Sequence, residues 1–220
     1  MAAVRPSAET RTPLTPAHWI ESALAMLEDG GIDLVRVDSI ARRLEVTRGS
    51  FYWHFRDRDD LLTQVLAAWR NAATEQIIAR FEGHGGTPRE LAKELLSLPF
   101  RGRSARHAAQ VELAIRDWAR RDPMARQSVD DVDARRVSFI SQCFAALGFD
   151  SAEARSRAFL LYACDVAESL LFNQGSAGDK TQRSELMAQL LLTPPSSGPA
   201  AALRTPAILP SSGDRPAAAA

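Results

Sequence analysis

An all-α protein is predicted by three observations. Apolar residues recur at helical spacing along most of the 220 residues, the alternation of a half-buried strand is almost absent, and Gly, Pro, Ser, Thr and Asp stand where helices start or stop. The same punctuation predicts the organisation. Residues 1–12 form a flexible tail, 13–60 a small three-helix unit, and 61–193 a longer helical bundle whose first helix links the two. Residues 194–220 contain Pro, Ser, Gly and Ala without periodicity and are expected to be a disordered tail.

Each element has its own signal. Thr15 before Pro16 caps a first helix in which Ile20, Ala23, Leu24 and Leu27 repeat until Gly30-Gly31. After the connector IDLVR, the segment VDSIARRL puts Val37, Ile40, Ala41 and Leu44 on one face of a short second helix. Glu45-Val46-Thr47 breaks it, Thr47 caps a third, and Phe51 and Phe55 point to the same side of that helix. Asp57 caps a fourth helix with an apolar stripe of Leu61, Leu62, Val65, Leu66 and Trp69. Further on, RELAKELLSL is a helix closed by Pro99, and a helix carrying Val111, Ile115 and Trp118 precedes Pro123. The next holds Val129, Val132, Val137, Ile140, Phe144 and Leu147. Ser151 opens another that continues past Phe172, and SELMAQLLL is the last.

Composition narrows the function. A 45% apolar content supports a packed core, two cysteines 21 residues apart make no disulfide framework, and neither a signal-like run nor a membrane-length apolar run is present. The expectation is a soluble, cytoplasmic protein without membrane association. His18, His54, His84 and His107 are scattered, with no CxxC, HExxH or Gly-rich phosphate loop, so no catalytic residue, metal site or cofactor is expected. Net charge is zero, so any nucleic-acid footprint must be local. One is present: Arg36 to Arg58 contains six arginines against three acids, a net of +3, plus His54.

Two short helices joined by a three-residue break have the layout of a helix-turn-helix, whose second helix enters the major groove. With Phe51 and Phe55 turned inward, Gly49, Ser50, Trp53 and His54 are left on the opposite face, with Arg48 and Tyr52 at its edges. Core packing is the ordinary fate of an aromatic residue, but a purely structural helix is not expected to leave Trp53 and His54 towards solvent. A groove reader needs small residues where backbone meets bases and donors that reach phosphates.

The run VDSIARRLEVTRGSFYWHFRDRDDLL resembles the DNA-binding module of TetR-type (tetracycline-repressor-like) regulators. It shares an Ile-Ala pair in helix two, a short turn, an aromatic-His-Phe end to helix three, and basic residues at the start of helix four. The resemblance covers residues 14 to 70 and beyond about residue 88 is one of organisation only. It implies that Thr47, Arg48, Gly49 and Ser50 face bases and that Tyr52, Trp53, His54 and Arg58 contact the backbone. Arg36, where a capping Thr is common, is a further phosphate contact. Glu45 departs from the usual turn glycine, at a cost of about 1 kcal/mol if its φ is positive. The resemblance further implies a homodimer joined through the last two helices, a double-stranded DNA operator, and a small-molecule effector bound in the bundle. Repression relieved by that effector is the expected activity. Activation, or a helix-turn-helix used for protein contact without ligand response, is the alternative, and a helical enzyme built on Asp165 and Glu168 is the weakest reading.

The helix from Ala152 to Phe172 is apolar nearly all round and is expected to be covered on both sides. Asp165 and Glu168 interrupt it, either to meet a polar or cationic ligand or to pair with an arginine of a neighbouring helix. Tyr162, Trp118 and Phe144 are the other candidates for a ligand pocket, although core burial is favoured for Trp118 and Trp69.

Overall fold

The computed structural model describes residues 14–83, 85–98, 102–171 and 173–193. The two expected tails, the Pro99 stop and Phe172 lie outside these residues. Among the described residues every regular element is helical.

Helix α1 (Pro16–Gly30) starts as expected, with proline in its first turn and the Thr15 amide donating to His18 Nδ1 at 3.0 Å. A 3₁₀ turn over Ile32–Leu34 leads to α2 (Val37–Arg43), and Glu45 turns the chain into α3 (Arg48–Phe51). Helix α3 is shorter than its sequence suggests. It is one α-helical turn, continued by hydrogen-bonded turns in which the Phe55 amide still reaches the Phe51 carbonyl at 3.1 Å, and this keeps both Phe residues on one side. Thr47 occupies the N-cap position, but its side chain makes no capping bond. Helix α4 (Arg58–Arg70) is capped by Asp57, whose carboxylate accepts from the Asp60 amide at 2.8 Å.

A π-helical turn, Asn71–Glu75, joins α4 to α5 (Gln76–Gly83) without a break in the rod. Then follow α6 (Pro88–Ser97), α7 (Gly102–Trp118), α8 (Pro123–Ala146), α9 (Ser151–Leu170) and α10 (Ala177–Leu192). Two starts differ from expectation. Asp150, not Ser151, caps α9 by accepting from the Ala152 and Glu153 amides, and α10 begins seven residues before SELMAQLLL, capped by Ser176 and Asp179. A stretch as polar as AGDKTQR hides its helix because only the last two turns have an apolar face.

The packing forms two cores. Trp19, Phe51, Phe55 and Leu61 share one with Ile115, Trp118 and Val129 of α7 and α8. The second holds Phe81, Leu95, Ile140, Phe144, Leu161 and Leu192. Residue 60 lies within α4, whose Leu61, Leu62 and Val65 belong to the first core, and the three-helix unit meets the bundle through α1 on α7 and α4 on α8. Helix α9 is not covered on both sides as expected within this chain: Phe159 (64%) and Leu160 (51%) are exposed, together with Leu170 and Leu171.

Candidate nucleic-acid interface and the charged layer of the bundle

The aromatic cluster splits by direction. Phe51 is fully buried, edge-on to Trp19 with centroids 5.4 Å apart and stacked on Phe55 at 5.2 Å, so α3 is riveted to α1 from beneath. Trp53 is 87% exposed and Tyr52 53%, with His54 partly exposed beside them. Two large aromatics left in water beside a packed core are a surface made for contact.

On the same surface Thr47, Arg48 and Gly49 are exposed and Ser50 partly so. A Cβ added at Gly49 would meet only Thr47 Oγ1, at 3.8 Å, so packing within the chain does not demand glycine there. Arg48 rests against its neighbours, donating to the Tyr52 hydroxyl at 3.3 Å and lying 3.6 Å from Asp38. Arg36 is exposed at the N-cap of α2, where it provides no side-chain cap and donates instead to the Asp33 carbonyl at 3.0 Å.

Arg58 is placed differently from the outward phosphate contact that the resemblance implied. Its Nε donates to the Val35 carbonyl at 2.7 Å and an Nη to the Ile32 carbonyl at 3.1 Å. The guanidinium thus fastens the connector before α2 to the start of α4. Sequence spacing could not show this, because the partners are backbone atoms more than 20 residues away.

In the bundle the five ligand-pocket candidates separate. Trp118 and Phe144 are buried in different cores, and Glu168 forms an ion pair with Arg183 of α10 at 2.7 Å. Tyr162 belongs to a charged layer that sequence reasoning missed. Its hydroxyl donates to Asp133 at 2.6 Å and accepts from Arg116 and Arg136. Arg116 also binds Glu112 and Asp133, and Arg136 binds Glu112 at 2.9 Å. Burial opposes the Glu112 charge, yet Arg136 and Arg116 hold its carboxyl below the ordinary value. Burial pushes the Tyr162 phenol up to about 12.

Arg136 extends this layer to the linking rod. Its Nη2 donates to the Ala73 carbonyl and its Nε to Thr74 Oγ1, both at 3.0 Å, within the π turn. Arg136 thus ties α8 to the backbone and side chain of the π turn. Asp165, three residues after Tyr162, is partly buried, and among the described residues its carboxylate accepts no hydrogen bond and makes no ion pair.

The family model for bacterial regulatory proteins of the tetR family matches residues 20–65, the window from within α1 to within α4. The class A tetracycline repressor from transposon 1721 of Escherichia coli is 28% identical over 183 residues, 83% of this chain and 78% of the repressor. The helix-turn-helix module of this chain, residues 20–65, is that of the tetR family. AcrR, an HTH-type transcriptional regulator of Shigella flexneri, is 28% identical over 82 residues, 37% of this chain but only 38% of AcrR. The crystal structure of a TetR-family regulator from Rhodococcus sp. matches at a TM-score of 0.65 and 19% identity, covering 81% of this chain and 98% of that one. That likeness is one of fold, and it extends the TetR architecture through the bundle, where the family model stops. Among the described residues no helix is long and apolar enough to cross a membrane.

Proposed function

We propose that this protein is a DNA-binding transcriptional regulator of the TetR family, a repressor released from its operator by a small molecule received in the bundle. The observation that carries the reading is the exposed α3 surface, in which Arg48, Gly49, Tyr52 and Trp53 face water while Phe51 and Phe55 fix the helix to the core. Thr47, Arg48, Gly49 and Ser50 read bases. Tyr52, Trp53, His54 and Arg36 grip the backbone, and Arg58 holds the connector in position beneath them.

Two copies of α3 enter successive major grooves with centres ~34 Å apart, the separation that one turn of duplex imposes on a two-fold dimer. The exposed apolar residues of α9 and α10 provide the dimer contact. Arg136 is the connection between effector and operator: it spans the charged layer and the π turn, and the π turn follows α4, whose first residue, Arg58, is tied to the connector before α2. A coupling of about 1–3 kcal/mol between two settings of that rod suffices for release.

Binding to DNA from beside the gene, followed by fluorescence anisotropy over a salt series, tests the reading. Sequence-selective binding is expected, with each phosphate contact steepening the log-log salt dependence by about 0.9. Arg48→Ala is expected to flatten base preference at one position of each half-site. Salt-independent or non-selective binding refutes the regulator.

A further inference from the structure

We infer that the bundle receives an organic cation, held by the Asp165 carboxylate of α9 next to the charged layer. The inference rests on the effector reading above and names the chemical class of that effector.

Charge balance points to it. In the layer, Glu112 and Asp133 are matched by Arg116 and Arg136, and Glu168 is matched by Arg183. Asp165 is left over. Its charged neighbours are Glu112 and Glu168, which repel it, and Arg136, whose guanidinium is already engaged by Glu112, Thr74 and the Ala73 carbonyl. Burial, more than either neighbour, pushes the Asp165 carboxyl up to about 8. A carboxylate withdrawn from water and left unpaired is unfavourable, and a cation brought alongside removes that disadvantage.

The surroundings fit a small organic ion. The first half of α9 buries Ala154, Ala158 and Leu161, but from Tyr162 to Ser169 no side chain is fully buried, so the wall around Asp165 is not closed by core. The Tyr162 ring already carries a cation on its face, with the Arg136 guanidinium carbon 5.7 Å from the centroid. A metal ion is a poorer match, since no group of three or more His, Cys, Asp or Glu is arranged to hold one among the described residues. An anion would gain nothing from the Asp165 carboxyl and would be repelled by it once ionised, with Glu112 and Glu168 adding to that repulsion.

The test is thermal denaturation of the full chain with tetramethylammonium, benzyltrimethylammonium, benzylamine and spermidine. Benzyl alcohol and phenylacetate are the neutral and anionic controls, each at ~10 mM. At least one cation is expected to raise Tm by about 2–5 °C, with neither control doing so. In Asp165→Asn, which keeps the shape and removes the charge, the shift is expected to vanish. No shift from any of the four cations, an equal shift in Asp165→Asn, or a larger shift with phenylacetate overturns the inference. Operator binding measured in parallel separates the two readings. Selective DNA binding without a cation response overturns the cation alone, whereas a cation response without selective DNA binding overturns the regulator and supports the Asp165 site.

Discussion

Glu45 has a φ of 55°, the one positive value found at a non-glycine residue among those described, and it occupies the turn between the two helices of the reading head. A side chain in this region costs about 1 kcal/mol relative to glycine, and a carboxylate in the turn beside the proposed reading surface would add repulsion to phosphates. Glu45→Gly is therefore expected to raise unfolding stability by ~1 kcal/mol in urea titrations and to tighten DNA binding most at low salt. The departure was readable through the resemblance, which implies a glycine at this turn position. The inward grip of Arg58 was not, because a guanidinium that binds distant carbonyls leaves no periodic trace. Asp165 is a second residue whose environment has a measurable consequence. Its carboxyl titrates near 8 when folded, against an ordinary value near 4 when unfolded, so between these limits the folded state binds the extra proton. The stability from this proton is fully present below about pH 4 and is lost as pH rises through about 8. Asp165→Asn is expected to be more stable than the natural sequence by roughly 2–4 kcal/mol near pH 8.5, with the gap closing towards pH 4–5. Denaturant titrations across pH should trace that convergence, and a constant gap would mean that the carboxyl does not titrate in the folded protein as described.

At the scale of elements, most helices were legible because their apolar residues recur at helical spacing, reinforced by side-chain caps at helices such as α4, α6 and α8. The aromatic cluster could be divided by direction because positions four apart share a face. What was illegible was the charged layer. Glu112 with Arg116, and Asp133 with Arg136, have the i,i+4 and i,i+3 spacing of ordinary solvated helix faces, and only the packing of α7 on α8 and α9 turns those faces inward. The π turn was equally hidden, since its partner is a side chain 62 residues away. Arg136→Lys keeps the charge but removes the planar fork that serves Glu112, Thr74 and Ala73 together. It is expected to lower stability by about 1–3 kcal/mol and to speed amide exchange over Asn71–Glu75 selectively, while α1 around Trp19 keeps its protection. Hydrogen-exchange mass spectrometry reads both regions in one experiment, and uniform acceleration would reduce Arg136 to a general packing residue.

For the whole molecule, the decisive feature is apolar surface left outside both cores. Phe159 and Leu160 of α9 and Leu186 and Leu190 of α10 are each more than half exposed, with Leu190 at 61%. The cap that lengthens α10 beyond its apolar turns holds those leucines on a regular helix next to α9, to which it is fastened by Arg183 and Glu168. Side chains of this size cost about 1.5–3 kcal/mol each when left in water rather than buried, so a face that combines several favours a second copy of itself. The proposed reading head calls for the same arrangement for a different reason, because a single α3 has one turn of helix and, in the proposed reading, four base-facing residues. In the proposed regulator, affinity for an operator would come from two heads presented at a fixed separation. Leu186→Glu combined with Leu190→Glu is therefore expected to convert dimer to monomer in sedimentation velocity while leaving the helical circular dichroism unchanged. Operator affinity should fall by about 10²-fold or more, and the dependence on half-site spacing should disappear with it. A variant that stays dimeric would place the interface elsewhere on the bundle. One that is monomeric yet binds with full affinity would separate DNA recognition from pairing altogether.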